Sequence, residues 1–179
     1  LCTMSKLTIF LVAAIAASAQ TYIPIAQFKQ RAFGDSLRAG ERIAGRVTVA
    51  DQFRNTSYIQ DASGGIAVFN SAFRMGVQVG DSVEILSGTL TEFGQTTGQS
   101  GTGLSEITGS VTFQVIPVAR VEPTPRTASI PSIGEALEGV LVRVRNVEFV
   151  ETGIFQGDRN YTVRNATGDP VSYTHLTLP

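Results

Sequence analysis

The stretch Ser57–Phe69, which reads SYIQDASGGIAVF, decides the fold of this 179-residue chain. Short apolar runs flank the central DASGG, and its glycines can adopt the positive φ of a tight turn. The pattern predicts two antiparallel strands, Ser57–Gln60 and Ile66–Asn70, joined by that turn. Because side chains alternate across a strand, an inward Ile59 places Tyr58 on the outer face.

The sequence on either side of this hairpin predicts further strands. Apolar positions recur with period two over Glu41–Val49, and Ser82–Thr91 and Glu106–Val115 are two more predicted strands. A connection at Ser71–Val79 follows the third strand, and a Gly-rich loop at Glu92–Ser105 separates the fourth from the fifth. Five strands arranged in this way fit an all-β OB-fold barrel. The alternative is a fragment of a β-sandwich, a fold that needs about seven strands.

The beginning of the chain has the pattern of a secretory signal peptide. Lys6 supplies a cationic region, Leu7–Ala17 is a short apolar run, and Ala17-Ser18-Ala19 is a small-residue cleavage site. The run is too short for a transmembrane helix, although a buried N-terminal helix is an alternative. We therefore expect a secreted protein that is cleaved after Ala19 and has no membrane contact afterwards.

Composition argues against several classes of catalytic and metal-dependent protein. With one Cys and one His, the chain lacks the residues for a Cys₄ or Cys₂His₂ zinc site. A His-based triad would need His175, which lies in a tail at 172–179 that we predict to be non-native. A catalytic acidic pair needs only two Asp or Glu residues, so composition does not exclude one. The acids in question are predicted at turns or strand edges, where acids are usually solvated: Asp61, Asp81, Glu92 and Glu106. We expect no enzymatic activity, no metal and no cofactor.

The second half of the chain repeats the first in part. The pattern at Glu41–Val47 recurs 97 positions later at Glu138–Val144, and IQDASG at Ile59–Gly64 recurs 104 positions later as VRNATG at Val163–Gly168. Chance similarity between two hairpins is the alternative. The predicted organisation is a signal peptide at 4–19, an OB-like barrel at 20–118 with a short helix at Ile25–Ala39, a Pro-rich linker at 119–134, a partial second OB-like module at 135–171 and a non-native tail at 172–179.

Three segments resemble a known family. GRVT at Gly45–Thr48, YIQDASGGIAVF at Tyr58–Phe69 and GDSV at Gly80–Val83 are similar to the OB-fold accessory modules of secreted bacterial nucleases and surface proteins. Such modules occur beside endonuclease/exonuclease/phosphatase domains and lamin-tail-like domains. The resemblance covers about Ile25–Val118, and Glu138–Val144 resembles part of a second module. It implies a bacterial accessory domain whose catalytic partner is a separate domain.

The candidate ligand surface is the outer face of the predicted barrel. Exposed aromatic rings can stack on bases or sugars, and an arginine beside them can pair with a phosphate. The loops Asp51–Thr56 and Glu92–Ser105 are expected to flank this face, as binding loops do in OB folds. The candidate ligand-binding residues are Arg46, Phe53, Arg54, Tyr58, Gln60, Phe69 and Phe93.

These residues are compatible with more than one partner. Single-stranded nucleic acid is the leading ligand by analogy with the fold, although the formal net charge of −1 provides no general basic field for it. Polysaccharide is a second possibility, because aromatic rings also stack on sugars. A third interpretation is a structural spacer that contacts neighbouring domains of a longer chain, with the same rings packed inside the protein.

Overall fold

The computed structural model describes residues 20–94, 103–154 and 161–168 and the backbone of 170–173. The predicted signal peptide, 95–102 of the predicted loop and the end of the predicted tail lie outside the described residues. The elements in chain order are β1 (Thr21–Tyr22), α1 (Ile25–Phe28), β2 (Glu41–Val49), β3 (Ser57–Gln60), β4 (Gly65–Val68), α2 (Ser71–Gly76), β5 (Ser82–Glu92), β6 (Ser105–Val115), β7 (Arg126–Ala128), two 3₁₀ turns (Ile130–Ser132 and Glu135–Leu137), β8 (Val142–Val144), β9 (Val147–Phe149), β10 (Tyr161–Asn165) and β11 (Pro170–Tyr173).

Five strands close into a barrel. Strand β2 pairs antiparallel with both β3 and β5, β3 pairs antiparallel with β4, and β5 pairs antiparallel with β6. The parallel pairing of β4 with β6 completes the ring. Closure in the order β2-β3-β4-β6-β5, with α2 after the third barrel strand, is the arrangement of an OB-type barrel. The predicted fold class is therefore confirmed.

The inward faces of these strands form one apolar core. Ile59, Ile66 and Val68 have almost no exposed surface, as the predicted alternation requires. Ile25 and Phe28 of α1 belong to the same cluster, so the short helix contributes directly to the core. Burial of such side chains is the main favourable term in folding, and it occurs here without a disulfide among the described residues.

The predicted helix at Ile25–Ala39 is wrong in its extent. Helix α1 ends at Phe28, and the chain then runs beside β5, where the Gly34 amide donates to the Leu90 carbonyl. Gly34 has a φ of +97°, a conformation that a continuing helix does not use. Ala32 and Phe33, the later apolar positions of the predicted helix, are exposed, so the helical spacing there is coincidental.

A second unit of strands follows the barrel, and its strand pairings are like those of the first barrel strands. Strand β7 pairs parallel with β8, as β1 pairs with β2, and β9-β10-β11 form an antiparallel sheet, as β2-β3-β4 do. The two hairpin turns also match. The Asp61 carboxylate accepts from the Ser63 amide at 2.7 Å, and the Asn165 side chain accepts from the Thr167 amide at 3.1 Å. The repeat and the domain boundaries stay predictions, and β7 lies within the predicted linker.

The register corrects one detail of that repeat. Arg46 lies opposite Gln60, but Arg164, which aligns with Gln60, lies opposite Glu148. Glu148 therefore takes the place that the sequence pattern assigns to Arg143. The strand is interrupted before Val147, at Asn146, whose φ is +56°, and a pattern search without gaps cannot detect this shift.

Candidate functional site

The outer face of β3 and β4 carries a cluster of aromatic side chains at one end. Tyr58 lies opposite Ala67, and the rings of Phe53 and Tyr58 meet edge to face with their centroids 6.1 Å apart. Phe69 follows β4 on the same face and is 50% exposed. By the register it is a diagonal neighbour of Tyr58, a relation that typically separates Cα atoms by about 7–8 Å. We call Phe53, Tyr58 and Phe69 the aromatic patch.

Two arginines lie beside the aromatic patch. Arg54 and Arg74 line a recess of about 320 Å³ together with Phe69. Arg54 has a φ of +64° at the end of the β2–β3 loop, and Arg74 lies on α2, where its guanidinium pairs with Asp51. The remaining lining residues, all with polar side chains, are Asn55, Asn70 and Ser71.

Helix α2 holds this side of the recess in place. The Asn70 side chain caps the helix by accepting from the Phe73 amide at 2.9 Å, and Phe73 is fully buried. Arg74 therefore projects from an anchored turn. Arg74 and Asn70 are not among the predicted site residues, because Ser71–Val79 is predicted only as a connection. The available signal was a capping asparagine directly before an apolar residue pattern.

The opposite end of the same face is covered by the second unit. The Gln60 side chain accepts from the Leu141 amide at 2.8 Å. A Cβ at Gly65 would overlap the Gly139 carbonyl, so the two backbones are in direct contact. Ala67 faces outward in the register yet is 0% exposed. The predicted site residue Gln60 therefore has a partner within the chain.

The covered end is rich in carboxylates. Glu138 accepts from the Lys29 ammonium and from the Ser105 amide, both at 2.6 Å. Although burial raises the pKa of the Glu138 carboxyl, these hydrogen bonds bring it below its ordinary value overall. Burial, followed by the negative charges of Glu138 and Glu106, raises the pKa of the Tyr58 phenol.

Glu106 corrects a prediction. The sequence predicts a solvated acid at a strand edge, but Glu106 lies opposite Ala67 inside the sheet and is only 7% exposed. Burial raises the pKa of its carboxyl. An anionic ligand would meet this acid at the covered end and the two arginines at the other end, so the aromatic patch is the more favourable side for a phosphate.

Arg46 and Phe93 lie apart from the aromatic patch. The Arg46 guanidinium donates to the Gly80 carbonyl at 2.7 Å and to the Val121 carbonyl at 3.4 Å. Phe93 is 66% exposed, but it follows Glu92 at the Ser105 end of β6, whereas Phe69 bonds to Ile107 further along that strand. The structure thus brings together Phe53, Arg54, Tyr58 and Phe69.

The described part of the chain forms neither a cluster of metal ligands nor a membrane-spanning helix. No three His, Cys, Asp or Glu side chains there converge to hold a metal ion. Among the same residues, no helix has both the length and the apolar character needed to cross a membrane.

Comparison with known proteins adds little to this description. The chain matches no protein family and no curated protein. Among solved structures it is similar to a protein from Leishmania major Friedlin that is named as an aspartyl-tRNA synthetase, with a TM-score of 0.38 and 12% identity. The alignment covers 60% of this chain and 23% of that protein. A similarity of this size identifies neither a family nor a function, and the assignment of an OB-type barrel rests on the strand pairing.

Proposed function

We propose that this protein is a non-catalytic module that binds single-stranded nucleic acid at the aromatic patch. The observation that carries the proposal is the half-exposed Phe69 beside the Phe53–Tyr58 pair, with Arg54 in the same recess. Aromatic rings stack on unpaired bases, and arginines neutralise the phosphates that follow. The β3–β4 face and the β2–β3 loop are also where OB folds bind oligonucleotides.

The same geometry sets a limit on the affinity. The net charge of the chain is −1, and Asp51 already pairs with Arg74. Glu106 and Glu138 add negative charge near Tyr58. Few phosphate contacts are therefore available, and since those contacts supply most of the affinity in non-specific complexes, we expect a Kd in the micromolar range or weaker.

A titration of single-stranded DNA into the full chain at low salt tests this proposal. Base stacking contributes about 1–3 kcal/mol for each aromatic residue, so Phe69→Ala should weaken binding about tenfold or more. Phe93→Ala is the matched control, because Phe93 is also exposed but lies away from the aromatic patch. Equal losses in the two variants, or no binding by the wild-type protein, would contradict the proposal.

A structural spacer is the second candidate function. It is favoured by the covered end of the face, where Gln60 and Gly65 contact the following unit rather than a ligand. In that case the barrel positions neighbouring domains and binds no polymer. Absence of binding between the wild-type protein and single-stranded DNA at low salt would support this role. Binding of a polysaccharide with no dependence on salt would instead indicate sugar stacking at the same rings.

We further propose that the protein is secreted by a bacterium. The support is the charged, apolar and small-residue order of 4–19, together with the resemblance to modules of secreted bacterial proteins. Mass spectrometry of the exported protein should find an N-terminus at Gln20. A mature chain that still begins at Met4 would contradict export with cleavage at this site.

A further inference from the structure

Part of the outer face of β3 and β4 is covered by another segment of the same chain. Glu138–Leu141 crosses the outer face of β3 and β4 at the end opposite the aromatic patch, on the face where OB folds hold extended ligands. We infer that this segment is an internal occupant of the ligand face, and that it restricts the site to a stretch of two or three nucleotides at the aromatic patch. The ligand part of the inference rests on the proposed function.

The segment binds the barrel through specific hydrogen bonds, as a bound ligand would. Glu138 binds the Lys29 ammonium and the Ser105 amide, and the Leu141 amide binds the Gln60 side chain. Each of these contacts uses a group of the barrel that would otherwise be available to a bound chain. The segment is therefore held by its own hydrogen bonds and not merely by its connection to the barrel.

Two glycines allow the segment to lie close to the sheet. Gly139 has a φ of +73°, and a Cβ there would lie 2.8 Å from the Gly65 carbonyl carbon. Direct contact between two backbones leaves no room for a base or a sugar ring between them. As long as the segment is docked, no nucleotide can pass over Gly65.

Arg126 anchors the approach to this segment. Its guanidinium donates to the carbonyls of Ala62 at 2.5 Å and Asp61 at 3.2 Å, in the turn between β3 and β4. Strand β7, which contains Arg126, pairs with β8 directly after the segment. The Arg126 amide also donates to the Leu141 carbonyl at 2.9 Å, so Arg126 and Gln60 both hold the Leu141 end of the segment. Lys29 and Ser105 hold the Glu138 end.

The remaining open surface is small. It offers two stacking positions, the Phe53–Tyr58 pair and Phe69, with Arg54 beside them. OB folds that bind along the whole face contact about 4–16 nucleotides. If Glu138–Leu141 is docked, we expect the affinity to stop increasing once the strand is about three nucleotides long. Longer strands offer more positions for the same short site, and measured affinities are corrected for that number.

The test measures the binding of oligothymidylates of two to twelve nucleotides by the full chain, with Gly139→Ala as the releasing variant. The new Cβ meets the Gly65 backbone and strains a positive φ, so the segment must leave the face. Gly134→Ala is the matched control, because a Cβ at Gly134 meets nothing within 4 Å. Wild type and control should reach constant affinity at about three nucleotides, and Gly139→Ala should gain about tenfold between three and eight.

Hydrogen exchange at the Leu141 amide, which donates to Gln60, provides a readout that does not depend on any ligand. Exchange there should accelerate at least tenfold in Gly139→Ala and stay unchanged in Gly134→Ala. If Gly139→Ala fails to fold, Glu138→Gln weakens the contact with Lys29 and is measured in the same way.

The possible results separate the inference from the proposed function. Release of the segment without any gain on long strands overturns the inference while binding at the aromatic patch stands. Unchanged exchange in the releasing variant also overturns it. Binding by the released variant alone supports the inference and contradicts a working patch in the wild type. Absence of binding in the wild type and in every variant contradicts both the inference and the proposed function.

Discussion

The two ends of one sheet face differ in what they contact. At one end Phe69 is exposed beside Arg54, whereas at the other Gly65 lies against the backbone of Gly139. Both ends belong to the same two strands and alternate in the same way. An OB face can hold a ligand only where the rest of the chain leaves it open, and period-two alternation does not show which part of the face is open.

The largest expected effect concerns the covered end. Lys29→Met leaves the Glu138 carboxylate with the Ser105 amide as its remaining partner in the described contacts. Loss of a partner for a buried charged group costs about 1–3 kcal/mol or more. Because both side chains keep some contact with water, we expect a loss of about 2 kcal/mol in the free energy of unfolding at pH 7.

The stability lost in Lys29→Met should depend on pH, and this dependence tests whether the ion pair with Glu138 is the cause. Overall, the pKa of Glu138 lies below its ordinary value of 4.5 in the folded protein. Its ion pair therefore stabilises the fold fully above that value and stops doing so as the pH falls through the lower folded pKa. The difference between wild type and Lys29→Met should shrink below about pH 4, and Lys29→Arg should retain most of the stability. A difference that does not change down to pH 3 would show that Lys29 acts through packing alone.

The second prediction compares two arginines. Arg54 lines the open recess, whereas Arg46 is bound to the carbonyls of Gly80 and Val121. Loss of one phosphate contact reduces the slope of log affinity against log salt by about one unit. Arg54→Ala should show this reduction in a single-strand titration. Arg46→Ala should keep the slope and instead lower the free energy of unfolding by about 1 kcal/mol, and the reverse result would restore the assignment from sequence.

The smallest predicted effect concerns Glu106, the buried acid at the covered end. Burial raises the pKa of Glu106, so this carboxyl gains its proton earlier than an exposed one as the pH falls. A negative charge about 8 Å from a phosphate costs about 0.5 kcal/mol in water. Affinity for single strands should therefore rise about twofold as the pH falls through the raised pKa of Glu106. Glu106→Gln should bind about twofold more tightly than the wild type at pH 7 and should show no such rise. A rise that persists in this variant would assign the effect to another group.

The sequence predicts the barrel well because its signals are local. The hairpin at Ser57–Phe69, its turn and its inward residues follow from alternation and turn chemistry, and the structure places Ile59, Ile66 and Val68 inside as expected. The predicted helix beyond Phe28 fails because positive φ at Gly34 and pairing with β5 decide the local conformation.

The site is only partly predictable because its limits are set by distant residues. Alternation correctly turns Tyr58 and Phe69 outward, but it contains no information on how far the Arg46 guanidinium reaches or what it binds. The covering segment lies 74 positions beyond Gly65 in the chain, and only tertiary packing brings Gly139 onto that glycine. The repeat likewise predicts a second hairpin but not the shift that places Glu148 opposite Arg164.

The most direct test of the difference between the two ends is an amide chemical-shift titration of the full chain with a short oligothymidylate. Binding at the aromatic patch predicts concentration-dependent shifts at Arg54, Tyr58, Phe69 and Arg74, with little change at Leu141. Two results would contradict the claim that only the open end binds. One is that the largest shifts occur at Gln60, Gly65 and Leu141, and the other is that no shifts occur at a high concentration of oligonucleotide.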